Sequence, residues 1–239
     1  MLIQIGYPSV KRRVQHILSS GKGEIKITHH HIVIEGPLGV GKTSLALKLA
    51  ERLNGQELLE HTEDNPFLDK FYKNPKRYGF QIQMFFLMRR YQHAQDLHQM
   101  DLFRKAIISD YLFDKDRIFA RLNLDDSEFW LYDQLFQLLK KRIKPPDLVI
   151  FLQAKTSVLI NRIKKRNIDY ERSISTKYLD QVNQAFNDFF FHYNESPLLV
   201  VDASDIDFVN IDEDFDDLVN EIMKLKSGVQ YYIPLSSKR

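Results

Sequence analysis

Short runs of apolar residues alternate along this chain with longer stretches in which apolar positions recur every three or four residues. The runs at Ile32–Glu35, Glu57–Leu59, Ala106–Ser109, Leu148–Leu152 and Leu198–Val201 have the length and continuity of strands buried on both faces. The periodic stretches predict helices over about 44–53, 66–73, 76–100, 127–143, 156–166, 175–193 and 213–226. Asn65-Pro66 marks a helix start, and Pro145-Pro146 punctuates the approach to the fourth run. Strands that alternate with helices specify an α/β fold, here a central five-stranded parallel sheet flanked by helices. Residues 1–28 do not fit the alternation, and Gly21-Lys22-Gly23 separates them from the first strand. They are an N-terminal arm, either an extra amphipathic element or a partly disordered segment, and residues 29–239 are expected to form one domain.

The first strand-to-helix junction carries the strongest chemical signal. Gly36-Pro37-Leu38-Gly39-Val40-Gly41-Lys42-Thr43 fits G-x-x-x-x-G-K-[ST] without a mismatch, between the run at Ile32–Ile34 and the helical stretch from Ser44. That strand–loop–helix setting is what the motif requires. Glycines let the backbone wrap closely round a polyphosphate, and the N–H groups opening the helix point at its oxygens. Lys42 supplies a cation for the β- and γ-phosphates, and Thr43 a hydroxyl for Mg²⁺. A nucleoside triphosphate is therefore expected here.

Bulk properties narrow the remaining classes. At 239 residues the chain suits one α/β domain, and a net charge of +2 carries no general nucleic-acid signature. The absence of cysteine excludes disulfides, thiolate metal sites and cysteine catalysis. No apolar run reaches membrane-spanning length, so a cytoplasmic protein without a membrane partner is expected. The segment from Asp202 to Glu221 holds nine acids and no Lys or Arg, and is expected to be a solvated surface segment and helix. His29-His30-His31 looks like a metal cluster, but consecutive strand side chains point to opposite faces and cannot all converge on one ion. Phe129, Trp130 and Phe136 are expected in the core or at an interface, and Phe189-Phe190-Phe191 in packing.

Phosphoryl transfer needs a carboxylate for the metal, a base near the acceptor and cations over the moving group. Open parallel sheets bind ligands at the carboxyl ends of their strands. Glu60 leaves the second strand there, suited to orient an acceptor hydroxyl and take its proton late. Asp110 leaves the third, in a Walker B-like setting for Mg²⁺ beside Thr43. After the fourth strand, Arg162 and Arg166 share a helix face. With Lys165 and Arg172 they form a basic lid, over about 162–174, that could close on the phosphates and exclude water.

With these pieces the chain resembles the deoxyribonucleoside kinases, most closely their bacterial deoxyadenosine/deoxyguanosine kinase branch, from about Ile32 to Met223. Asn65-Pro66-Phe67-Leu68-Asp69-Lys70-Phe71-Tyr72 and the stretch from Arg77 through Gln83 and Arg90 to Tyr91 carry most of that specificity. The resemblance implies a P-loop kinase fold and roles at matching positions. Glu60 would act on the sugar 5′-hydroxyl as general base, and Gln83, rather than Gln81, would pair with the base edge. Arg90 and Asp116 would be a second base-reading pair, and Tyr72 and Glu171 would hold the 3′-hydroxyl. Asp110 would serve Mg²⁺ and the 5′ region, and Asp207 and Phe208 would lie against the adenine of ATP. Helices 76–100 and 127–143 would form a homodimer interface.

Two departures from the family pattern stand out. The Arg-Ser expected after the acid is Tyr111-Leu112, with Lys115, one helical turn later, as a candidate substitute cation. At the lid, Asn167-Ile168 stands where many members carry Gly-Arg, so Arg166 and Arg172 would bear more of the charge. The leading expectation is transfer of the ATP γ-phosphoryl group to the 5′-hydroxyl of a deoxyribonucleoside in nucleotide salvage. A purine is preferred, with deoxycytidine as a further acceptor, on the family branch and on the bulk of Met84, Met88 and Phe85. The alternatives are a thymidylate-like nucleoside monophosphate kinase, which would need cations at the acceptor's phosphate, and a catalytically silent nucleotide-binding module.

Overall fold

The five apolar runs become strands of one sheet, and a sixth strand joins them. The computed structural model describes residues 29–60, 62–100, 106–168, 171 and 174–234. The expected N-terminal arm over 1–28, and Arg172 of the expected lid, lie outside these residues. In chain order the elements are β1 (His31–Glu35), α1 (Lys42–Arg52), β2 (Gln56–Leu58), α2 (Leu68–Lys73) and α3 (Pro75–Met100). Then come β3 (Ile107–Ser109), α4 (Lys115–Asn123), α5 (Asp126–Lys140), β4 (Leu148–Gln153) and α6 (Thr156–Arg166). The last are α7 (Thr176–Phe191), β5 (Leu198–Asp202), α8 (Asp212–Lys224) and β6 (Val229–Tyr232).

The strand order is β2-β3-β1-β4-β5-β6, and every pairing is parallel. The chain leaves β1 for β2 and β3 on one side and passes to β4 on the other. The order therefore reverses at β1, where the crevice of an open α/β sheet lies. Period-two alternation splits each strand between two layers. Ile32 and Ile34 of β1 join the core beneath α1 and α8, whereas Val33 joins Val149 and Phe151 against α7. Phe151 stacks on Phe190 with ring centroids 4.1 Å apart, so the middle of the aromatic triplet is core. Phe191, beside it, points to solvent.

The expectation of five strands is corrected to six. β6 follows Gly228, whose φ of +75° turns the chain back along β5, and its residues alternate between exposed and half-buried. An edge strand of that kind lacks the continuous apolar run of the inner strands. A second unanticipated element is α4, whose buried face includes Lys115 and Asp116. The acidic stretch is solvated only in part. Asp214 of α8 is buried and accepts the Asp207 backbone N–H at 2.9 Å, which anchors the loop after β5.

Candidate active site

Beyond β1 the chain makes the tight turn that its glycines permit. A Cβ at Gly36 would meet the Leu152 carbonyl oxygen at 2.5 Å, so only glycine lets the loop pass over β4. Gly41 takes a φ of +109° to open α1. Pro37, Leu38, Gly39 and Val40 complete the arch, and the Lys42 ammonium donates to the Gly36 and Pro37 carbonyls at 2.8 and 3.1 Å. Burial lowers the Lys42 pKa to about 8, with the nearby charge of Lys115 adding to the effect. Glu35, fully buried, accepts the N–H of Gly36 and of Leu112, each at 2.8 Å. It ties the start of the loop to the segment after β3, and burial raises its pKa.

Thr43 and Asp110, the two residues expected at Mg²⁺, are in contact: the threonine hydroxyl donates to Asp110 Oδ2 at 2.5 Å. The other carboxylate oxygen of Asp110 accepts the Glu60 backbone N–H at 2.8 Å. Two hard oxygen donors at the foot of a phosphate loop fit an ion that keeps its remaining positions for phosphate and water.

Next to them lies a cavity of about 170 Å³ whose walls bring most of the expected acceptor residues together. Glu60, Tyr72, Gln83, Arg90, Asp110, Asp116 and Glu171 line it, as do Lys42 and Thr43. Its apolar walls are Leu68, Phe71, Ile82, Phe86 and Phe119. Gln83 is buried there and Gln81 is exposed. Met84, Met88 and Phe85 do not line the cavity, so the inference of pocket depth from them is corrected. Met84 packs in the cluster around Leu87 and Tyr132, and Met88 faces solvent. Asn123 and Tyr178 complete the wall, a pair the sequence reading did not single out.

Four buried side-chain atoms on this wall have no hydrogen-bond partner: Gln83 Oε1, Arg90 Nε, Asp116 Oδ2 and Asn123 Nδ2. Unpaired buried polar atoms cost about 1–3 kcal/mol each, so a cluster of them beside a cavity points to a ligand that pairs them. Arg90 is ion-paired to both Asp116 and Glu60, and Glu60 also takes the Lys115 ammonium at 2.7 Å. The two carboxylates respond differently. Glu60, with two cations on it, is held down to about 2 against its desolvation, whereas the deeper Asp116, sharing one arginine, is pushed up to about 6 by burial.

Arg162 and Arg166 line a second cavity of about 430 Å³ on the far side of the loop, with Ser204–Asn210 as its other wall. Here Arg162 donates to the Val40 and Ala203 carbonyls at 3.1 and 2.8 Å and braces the loop. Arg166 is ion-paired to Glu171. Asn167 closes α6 at φ +56°, a left-handed position that asparagine tolerates in place of glycine. Asp207 caps its own turn through Asn210, and the Phe208 ring is buried against Gly41.

The sequence model described as deoxynucleoside kinase matches residues 32–227. Deoxyguanosine kinase of Bacillus subtilis (strain 168) is 35% identical over 199 residues, 81% of this chain and 96% of that protein. Deoxyadenosine kinase of Dictyostelium discoideum is 38% identical over 164 residues, 66% of each. Among solved structures, deoxyadenosine kinase from M. mycoides with bound dATP is similar with a TM-score of 0.71. It is 25% identical, and the match covers 80% of this chain and 98% of that one.

Proposed function

The chain belongs to the deoxynucleoside kinase family, and from that premise we propose that it moves the ATP γ-phosphoryl group to the 5′-hydroxyl of a deoxynucleoside at Glu60. It is an ATP-dependent phosphotransferase. One juxtaposition carries the assignment of roles: Glu60 lines a single cavity with Lys42 and Thr43 of the phosphate loop and with the unpaired atoms of Gln83, Arg90 and Asp116.

In this reading the base lies between the apolar walls and pairs with Gln83, Arg90 and Asp116. Tyr72 and Glu171 take the sugar 3′-hydroxyl. Glu60 accepts a hydrogen bond from the 5′-hydroxyl and aims its oxygen at the γ-phosphorus. A carboxylate held near 2 is a weak base, which suits a loose transition state in which the proton leaves late. Lys42 and the N–H groups of residues 36–43 steady the phosphates. Thr43 and Asp110 would hold Mg²⁺, which neutralises charge on the phosphate oxygens when bound. Arg166 and Arg172 close over the transferring group, Arg162 braces the loop, and Asp207 and Phe208 form the adenine side of the donor cavity. Purine bases are the favoured acceptors, in keeping with relatives named for deoxyguanosine and deoxyadenosine. Nucleotide salvage in the cytoplasm and a homodimer belong to the same proposal.

Removing one transition-state contact of this kind costs about 10²–10³ in rate. Glu60→Gln should therefore lower kcat by about that factor with a deoxynucleoside acceptor, with ATP still bound. An unchanged kcat would remove Glu60 from the role of base.

A further inference from the structure

Lys115, the substitute cation that the sequence offers for Tyr111-Leu112, has no part in the mechanism proposed above, yet it is buried to 7% exposure inside the acceptor cavity. A cation in the first turn of a helix opposes the helix dipole, and burial disfavours its charge as well, but the Glu60 and Glu35 carboxylates outweigh the burial and raise its pKa. Lys115 is the first residue of α4. The ammonium is thus held charged on the wall of the cavity, where it can serve a ligand.

The surrounding cations define its task. Among the described residues, the basic side chains lining the cavity are Lys42, Arg90, Lys115 and Arg166. Arg90 is held by Asp116 and Glu60 together, and Arg166, paired with Glu171, comes from α6 on the lid side, which leaves Lys115 as the cation beside Glu60 on the α4 side. Tyr111, directly after Asp110, turns the other way: its hydroxyl meets His93 Nδ1 at 3.0 Å and its ring packs under Arg90. The Lys115 ammonium lies 2.7 Å from the Glu60 carboxylate, on the side of the cavity shared with Lys42, whose proton affinity its charge lowers. An attacking oxygen on Glu60 would lie about 3–3.5 Å from the γ-phosphorus, which brings the phosphoryl oxygens within reach of the same ammonium.

We propose that Lys115 is a catalytic residue: it donates hydrogen bonds to the transferring phosphoryl group and supplies the cation that Tyr111-Leu112 leaves out beside Asp110. This rests on the kinase reading. In the step, the 5′-oxygen forms a bond to the γ-phosphorus as the bond from that phosphorus to the β–γ bridging oxygen breaks. Its electron pair leaves with ADP, the hydroxyl proton passes to Glu60, and Lys115 stays protonated throughout.

The test is single-turnover transfer from γ-labelled ATP to deoxyguanosine by the wild type, Lys115→Met, Lys115→Arg, Glu60→Gln and the Glu60→Gln/Lys115→Met double variant. Equilibrium nucleoside binding is measured alongside. Lys115→Met should slow transfer by about 10²–10³ and bind nucleoside as the wild type does, and Lys115→Arg should recover at least about tenfold of that loss. In the Glu60→Gln background the methionine should cost a comparable further factor, because the two groups act on different atoms. A double variant no slower than Glu60→Gln would make Lys115 a mere partner of that carboxylate and overturn the proposal. So would a Lys115→Met rate within twofold of the wild type. Should Lys115→Met not fold, Lys115→Gln replaces it throughout, with the same outcomes. A wild type that phosphorylates no deoxynucleoside would sink the kinase reading itself, a result distinct from either of these.

Discussion

Glu60, Arg90 and Asp116 form a chain of alternating charge, and its asymmetry has a measurable consequence. Asp116 carries a pKa raised to about 6, chiefly by burial, whereas Glu60 at about 2 stays ionised across the neutral range. The sign of the linkage follows from these directions. The raised value means that the folded protein holds a proton on Asp116 which the unfolded chain has lost, so this group lowers stability as pH rises through about 6. Glu60, depressed, adds stability that is lost only as pH falls through its ordinary 4.5 towards 2. If ionised Asp116 accepts from the base, the competent fraction falls on acidification. The deoxynucleoside Kd measured without ATP should then rise about tenfold between pH 7 and pH 5, and Asp116→Asn should flatten the profile. A wild-type Kd independent of pH over that range would contradict the role of Asp116. Glu60 was legible at this scale because it follows an apolar run, whereas Arg90 and Asp116 were named only through the family resemblance. The pairing of Lys115 with Glu60 was not legible, since 55 residues separate them and only the packing of α4 brings them together.

Among the elements, α4 is the most instructive. Lys115, Phe119 and Asn123 are spaced one turn apart along it, with Asp116 beside the first, and all four line the proposed acceptor cavity. Ile118, Phe119 and Leu122 recur on it at helical spacing, but at nine residues the helix is too short for that pattern to set it apart from a loop, which is why the sequence reading passed over it. α5, its neighbour, was legible from its apolar spacing and opens with a capping box of Asp125 and Glu128. At β1 the decisive residue is again polar. Glu35 looks like the end of an apolar strand, yet its carboxylate joins the phosphate loop to the segment carrying Tyr111 and Leu112. Glu35→Gln would turn an amide N–H₂ towards one of the two backbone N–H groups. It should lower unfolding free energy by about 1–3 kcal/mol and raise the KM for ATP. Denaturant unfolding with the same stability as wild type would show that this cross-link does not hold the loop.

The molecule as a whole joins two cavities across the strand-order reversal at β1: the proposed donor cavity against α6 and the loop after β5, and the proposed acceptor cavity against α3 and α4. Alternation of strands and helices made this arrangement legible. The sixth strand was hidden by its edge position. No helix among the described residues is long and apolar enough to cross a membrane. On the outer face of α5, Trp130, Leu131 and Leu138 are 65%, 54% and 57% exposed, and Met88 of α3 is exposed as well. Such a stripe suits the proposed homodimer. Light scattering should give twice the chain mass for the wild type and the single chain mass for Trp130→Asp/Leu131→Asp, whereas a monomeric wild type would refute this interface.

The most direct test of the central claim is the initial rate of ADP release by the wild type with Mg²⁺ and ATP, measured against each deoxynucleoside and against thymidylate. The account predicts fast release with deoxyguanosine or deoxyadenosine, formation of the 5′-monophosphate, and no stimulation by thymidylate. Release with thymidylate and with no deoxynucleoside would contradict it.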